Sequence, residues 1–225
     1  MKAGDTRVAI DPMFDQQLRN STKRLLAPIA KITVGWLSPY QLTAIGGLVG
    51  VAAALAASQS WWMLALGLWL VNRFLDGLDG AVARISRRSS DAGGYVDITV
   101  DMVVYGSIPL GVGFGHGTAT VWAATAVLLA SFYVNTITWT YLSAVLEKQG
   151  LGASSTGEPT TVTMPVGLVE GAETILFFVL ILALPTLAAP IMVIMAALVI
   201  VGAAIRFVAG HNQIKTGLNS EVSAR

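Results

Sequence analysis

Six predominantly apolar stretches, separated by short polar breaks, decide what this 225-residue chain can fold into: about 40–58, 61–86, 93–114, 119–146, 166–184 and 190–210. Each approaches the ~20 residues that a helix needs to cross the hydrocarbon core of a bilayer. Inside lipid every backbone N–H and C=O must be satisfied within the segment, so such stretches become helices. Only 12% of the residues are charged, against about 25% in an ordinary soluble domain. The sequence therefore predicts an all-α integral membrane protein with six transmembrane helices. It has no cysteine, which removes disulfides, thiolate metal sites and cysteine nucleophiles. A net charge of +1 gives no reason to expect nucleic acid as a partner.

Positive charge orients the bundle. With the N-terminus inside, the outer connections are roughly 59–60, 115–118 and 185–189, and none contains Lys or Arg. Both termini then lie in the cytoplasm. The first 35 residues lack the apolar core and cleavage site of a signal peptide, and residues 1–37 are expected to form a cytoplasmic arm. "DQQLRNSTKRLLAPIAKI" alternates Leu18, Leu25, Leu26 and Ile29 with Arg19, Lys23 and Arg24. That pattern predicts an N-terminal amphipathic helix in the membrane interface. Residues 38–210 form the transmembrane domain and 211–225 a cytoplasmic tail. In "SPYQLT", Ser38 can cap the first span and Pro39 suits its first turn. The connection "EKQGLGASSTGEPTTVTMP" (147–165) reads as a surface loop, a candidate lid.

"FLDGLDGAVARISRRSSDAGGYVDITVD" (74–101) breaks the apolar rule with four aspartates. Asp76 and Asp79 share one face of the second span at i, i+3, and Gly93, Asp97 and Asp101 form a stripe on the third at i, i+4, i+8. The short turn 87–92 makes the two helices antiparallel neighbours, so both stripes can converge near the cytoplasmic surface. An ionised Asp at mid-bilayer costs about 2.5–3.5 kcal/mol, so four uncompensated could cost roughly 10 kcal/mol as an upper bound. Arg73 and Arg84 offset part of this, although their helical phase sets them beside the acidic stripe. A hard, oxygen-liganded divalent ion, Mg²⁺ or Mn²⁺, is the better compensation. Two other readings of the aspartates stand beside it: buried ion pairs that fix packing, and an ion-coupled transporter.

The spacing carries more than the residue types. Asp76-x-x-Asp79-Gly80-x-x-Ala83-Arg84, then eight residues, Gly93-x-x-x-Asp97-x-x-x-Asp101 resembles the signature of the CDP-alcohol phosphotransferase family. The resemblance covers about 38–210 and extends to the six-span architecture and to "SPYQLT". It implies transfer of a phosphatidyl or other phosphoalcohol group from a CDP-alcohol, often CDP-diacylglycerol, to a second alcohol, with release of CMP. It implies that Asp76, Asp79 and Asp97 bind metal, two ions being expected. Asp101 would bind metal or act as the catalytic base on the acceptor hydroxyl. Gly80, Ala83, Arg84 and Gly93 would lie against the CDP moiety, and the enzyme would be a homodimer facing its site to the cytoplasm.

The acceptor is less legible. "DITVDMVVYGSIP" (97–109) resembles the corresponding region of bacterial phosphatidylserine synthases. Ile98 and Met102 depart from the Pro and Lys of phosphatidylglycerophosphate synthases. Serine-like alcohols, glycerol phosphate and inositol phosphate all remain open. Glu170 and Glu173, at the cytoplasmic start of the fifth span, are acceptor-site candidates; acids there also suit the positive end of the helix dipole. Arg206, late in the sixth span, can bind a phosphate or snorkel to headgroups. Asn135, Thr136, Thr138 and Tyr141 predict hydrogen bonding between helices.

Overall fold

The computed structural model of the chain describes residues 26–150 and 171–223, with side chains through Lys215. Its described residues contain no strand. Helix α1 covers the described residues 26–33. It is followed by α2 (Pro39–Ser58), α3 (Trp62–Ile85), α4 (Asp91–His116), α5 (Ala119–Lys148), α6 (Gly171–Ala183) and α7 (Ala188–Ser223). A 3₁₀ turn, Pro185–Leu187, joins the last two.

Local chemistry sets the helix starts. Ser38 accepts from the Gln41 backbone, the Gln41 side chain accepts from the Ser38 N–H, and Pro39 occupies the first turn, a reciprocal capping box. Ser90 caps α4 by accepting from the Gly93 N–H. Gly117, at φ +65°, closes α4 in the left-handed region.

Among the described residues, four helices are long and apolar enough to cross a membrane: α2, α4, α5 and the stretch Pro185–Lys215. The other two expected spans behave differently. Helix α3 has the length, but it carries Arg73, Asp76, Asp79 and Arg84. Helix α6 shows only 13 residues, its expected start at 166 lying outside the described residues. The described part of the predicted interfacial helix does pack: Leu26 and Ala30 are buried against Leu78, Ala81 and Val82, while Ile32 and Trp36 face outward. Leu18, Arg19, Lys23, Arg24 and Leu25 lie outside the described residues. The sixth span runs on to Ser223 as one helix rather than stopping near Gly210. Gly210 is a packing position, where a Cβ would run into Leu142 on α5.

Helix α2 packs on both α3 and α4, α5 packs along α7, and α6 bridges α3 and α7. The α2–α4 contact is backbone-close. A Cβ on Gly50 would come within 2.6 Å of Val104, and one on Gly111 or Gly115 would overlap the carbonyl of Ala54 or Ala57. Small residues let these backbones meet, as helices in lipid favour. Trp69, Tyr105, Phe132 and Phe178 join α3, α4, α5 and α6 in one aromatic cluster, with Trp69 and Phe178 centroids 5.0 Å apart. This rigid wedge lies directly beneath the polar end of α3.

Candidate active site

The predicted convergence of the two acidic stripes occurs. Asp76 and Asp79 from α3 and Asp97 and Asp101 from α4 line one small cavity, closed on its third side by Thr43, Gly46 and Gly47 of α2. Glycine at 46 and 47 lets the α2 backbone form that wall; a Cβ on Gly47 would come within 2.6 Å of Val100.

Each carboxylate has its own setting. Asp79 is buried and its Oδ2 accepts a 2.6 Å hydrogen bond from Thr43 Oγ1. Asp101 Oδ1 accepts from Arg73 Nη2 at 2.8 Å, and Asp76 Oδ2 lies 3.5 Å from Arg73 Nη1. Arg73 is thus inside the acidic site, not beside it as helical phase alone suggested. Its reach comes from its surroundings: Nε donates to Asn72 Oδ1 and Nη1 to Tyr105 Oη, each at 2.8 Å. The guanidinium carbon sits 4.7 Å and 4.9 Å from the ring centroids of Trp69 and Tyr105. Asn72 in turn donates to the Gly46 carbonyl at 2.8 Å and ties this assembly to α2.

Thr43 and Asn72 are therefore site residues that the sequence did not single out, while Arg73, expected to offset part of the acidic charge, and Tyr105, in the run 97–109, take part in the site directly. Thr43 is open to a direct test. Thr43→Val keeps the shape but leaves the buried Asp79 without its donor, which costs about 1–3 kcal/mol. A melting temperature lowered in Thr43→Val and restored in Thr43→Ser is the expected result, measured on purified protein. Equal stability of all three would show the bond to be incidental.

The remaining candidates fall into place unevenly. Arg84 lies over Gly80, where a Cβ would come 3.3 Å from its Nη1; Gly80 follows Asp79 directly and Arg84 lies just over a turn further towards the end of α3. Ala83 is half-buried on the same turn. Gly93 packs against the Ser90 hydroxyl, with Tyr40 Oη next nearest. Glu173 is exposed in the first turn of α6 and is not among the residues lining the cavity. Glu170 lies outside the described residues, as does most of the 147–165 loop. Arg206 is buried rather than reaching for the membrane surface, and its Nη1 donates to Asn135 Oδ1 at 2.7 Å, the predicted bond between helices.

A helical bundle with an acid-lined polar site between apolar spans defines a membrane enzyme or an ion-coupled carrier. Comparison with known proteins decides between them. A family model described as CDP-alcohol phosphatidyltransferase matches residues 36–208. The chain belongs to that family and is a phosphotransferase that moves substituted phosphate groups in phospholipid biosynthesis. This removes the transporter reading.

Among its relatives is an Escherichia coli protein named inner membrane protein YnjF, 33% identical over 75% of this chain and 81% of the relative. The archaetidylinositol phosphate synthase of Pyrococcus horikoshii is 29% identical over 71% of this chain and 77% of its own length. Among solved structures, the phosphatidylinositol phosphate synthase PgsA1 of Mycobacterium tuberculosis with CDP-DAG bound superposes with a TM-score of 0.65. That alignment covers 83% of this chain and 94% of the other at 20% identity. The same enzyme in complex with manganese and citrate gives 0.62, at 21% identity, over 85% and 89%.

Proposed function

We propose that the protein transfers a phosphatidyl group from CDP-diacylglycerol to a small alcohol and releases CMP, with a divalent cation held by Asp76, Asp79, Asp97 and Asp101. The observation that carries this reading is the single cavity on which all four carboxylates open. Its donor set is hard oxygen throughout, which suits Mg²⁺ or Mn²⁺ and not zinc. One guanidinium cannot balance four carboxylates, so the charge of the site also favours added cation. Among the described residues no three carboxylates yet stand in a ligating arrangement. Thr43 and Arg73 occupy oxygens of Asp79, Asp101 and Asp76, and the carboxylates must turn to take up an ion.

When bound, such an ion neutralises the pyrophosphate and polarises the phosphorus–oxygen bond that breaks. The chain's own residues supply the rest. Arg84, a planar fork on the turn that carries Gly80 and Ala83, suits the phosphate oxygens of the nucleotide. Gly80 and Gly93 leave the backbone open to close approach. Asp101 accepts the proton from the acceptor hydroxyl as its oxygen forms the new bond to phosphorus, and CMP leaves with the electrons of the broken one.

Residues 38–210 make the catalytic domain. In this reading six spans place both termini and the site at the cytoplasmic face of a bacterial inner membrane, with residues 1–37 and 211–225 flanking the domain. A homodimer fits the family. The acceptor is a serine-like alcohol, glycerol phosphate or inositol phosphate, with Glu170, Glu173 and Arg206 as the residues to test for selecting it. Purified protein with Mg²⁺ and CDP-diacylglycerol, assayed for CMP against serine, glycerol 3-phosphate, inositol and inositol phosphate, tests the reading. CMP release with one of them names the acceptor. Failure to bind the nucleotide at all would overturn the donor assignment.

A further inference from the structure

Arg73 has no task in the reaction as proposed, yet it is the most firmly held side chain in the site. All three of its guanidinium nitrogens are engaged, by Asn72, Tyr105, Asp101 and Asp76. Its side chain is 7% exposed and lies on the faces of Trp69 and Tyr105. Those rings belong to the aromatic wedge that locks α3, α4 and α6 together, and Asn72 is itself anchored to the α2 backbone. The guanidinium therefore has nowhere to swing.

We propose that Arg73 is a fixed internal counter-ion that keeps a divalent cation from settling on the aspartates until a nucleotide diphosphate arrives. It is a positioning residue, and the inference rests on the metal reading above. The oxygens that Arg73 holds, Asp101 Oδ1 and Asp76 Oδ2, belong to two of the four carboxylates that would hold the ion. An ion loading alone must either draw Asp101 Oδ1 off a 2.8 Å charge-assisted bond or share the carboxylate with the guanidinium, and in both cases it sits beside a positive charge that cannot leave. A diphosphate entering with the ion adds the negative charge that offsets this repulsion. Metal and nucleotide consequently tighten each other's binding, and by linkage the coupling is equal in both directions. A guanidinium that served only to hold α3 against α4 would need neither aromatic face nor a place on two carboxylates of the acidic cavity.

The test is Mn²⁺ binding to the purified full-length protein in lipid nanodiscs, followed by the loss of the free-ion electron paramagnetic resonance signal, with and without CDP. Wild type is expected to bind Mn²⁺ weakly alone and more tightly with CDP. In Arg73→Gln, Mn²⁺ alone should bind at least roughly tenfold tighter, since a unit charge a few ångströms away is removed in a medium of low effective dielectric. The gain from CDP should shrink correspondingly. Tyr105→Phe keeps the ring and removes one of the hydrogen bonds that fix the guanidinium, leaving Nη1 on Asp76 alone, so it should shift Mn²⁺ affinity the same way by a smaller factor; it serves if the glutamine variant does not fold. Unchanged or weaker Mn²⁺ binding without CDP in the variants would overturn the role of Arg73 and leave the metal reading intact. A wild-type protein that binds no Mn²⁺ with or without CDP would overturn both.

Discussion

Asp101→Asn should lower CMP release by about 10²–10⁴-fold, the range that a positioned general base contributes, while the protein stays folded. The side chain of Asp101 is 24% exposed at the mouth of the acidic cavity, so its replacement opens no hole in the core. An asparagine can still accept the bond from Arg73 Nη2 through its own Oδ1, and Arg73 keeps Asn72, Tyr105 and Asp76. What is lost is the basicity of the second oxygen and one negative charge towards the cation. Nucleotide binding should therefore weaken far less than turnover falls, since three carboxylates still face the cation. Asp79→Asn should behave differently. Asp79 is buried against Thr43, and its amide would present N–H groups to a site built of acceptors, so stability should fall with activity. The contrast is read from CMP release, CDP binding and melting temperature measured on the same preparations. Activity of Asp101→Asn within tenfold of wild type would remove Asp101 from the role of base.

The difference between these two aspartates shows where sequence reasoning stops. The i, i+3 and i, i+4 spacings place Asp76, Asp79, Asp97 and Asp101 on faces of two antiparallel helices, and a six-residue turn leaves those faces little choice but to meet. That much is periodicity. Which carboxylate is buried and which is paired depends on a third helix. Thr43 lies 36 residues from Asp79 in sequence, and no periodicity links them. Arg73 illustrates a second limit. Helical phase fixes where a Cα points, but a guanidinium extends several ångströms beyond it, and the flat bed of Trp69 and Tyr105 decides its direction. Arg206 repeats the lesson at the far side of the bundle, where a partner 71 residues away holds it inside instead of at the lipid surface. Gly210 was legible as a glycine and misleading as a stop, because nothing in sequence distinguishes a helix end from a site where Leu142 needs room.

The glycines of α4 carry the largest structural expectation. A Cβ at Gly111 would overlap the Ala54 carbonyl on α2, and a backbone cannot rotate away as a side chain can. Gly111→Val must therefore push α4 from α2 along the seam where Gly50 faces Val104 and Gly115 faces Ala57. Overpacking of a close interface costs about 1–3 kcal/mol, and the upper end applies where backbone must move. The same seam sets how Asp97 and Asp101 meet Thr43 and Asp79, so the effect should reach the active site. Gly111 lies ten residues from Asp101, about 15 Å along the helix at ~1.5 Å per residue. Gly111→Val should accordingly lower both the melting temperature and CMP release, although valine touches no catalytic residue. Gly106→Ala is the matched control on the same helix, since a Cβ there meets no atom within 4 Å. It should be neutral, or stabilising by up to about 1 kcal/mol through helix propensity alone. If Gly111→Val melted and turned over like Gly106→Ala, the α2–α4 approach would not be what holds the four aspartates in register.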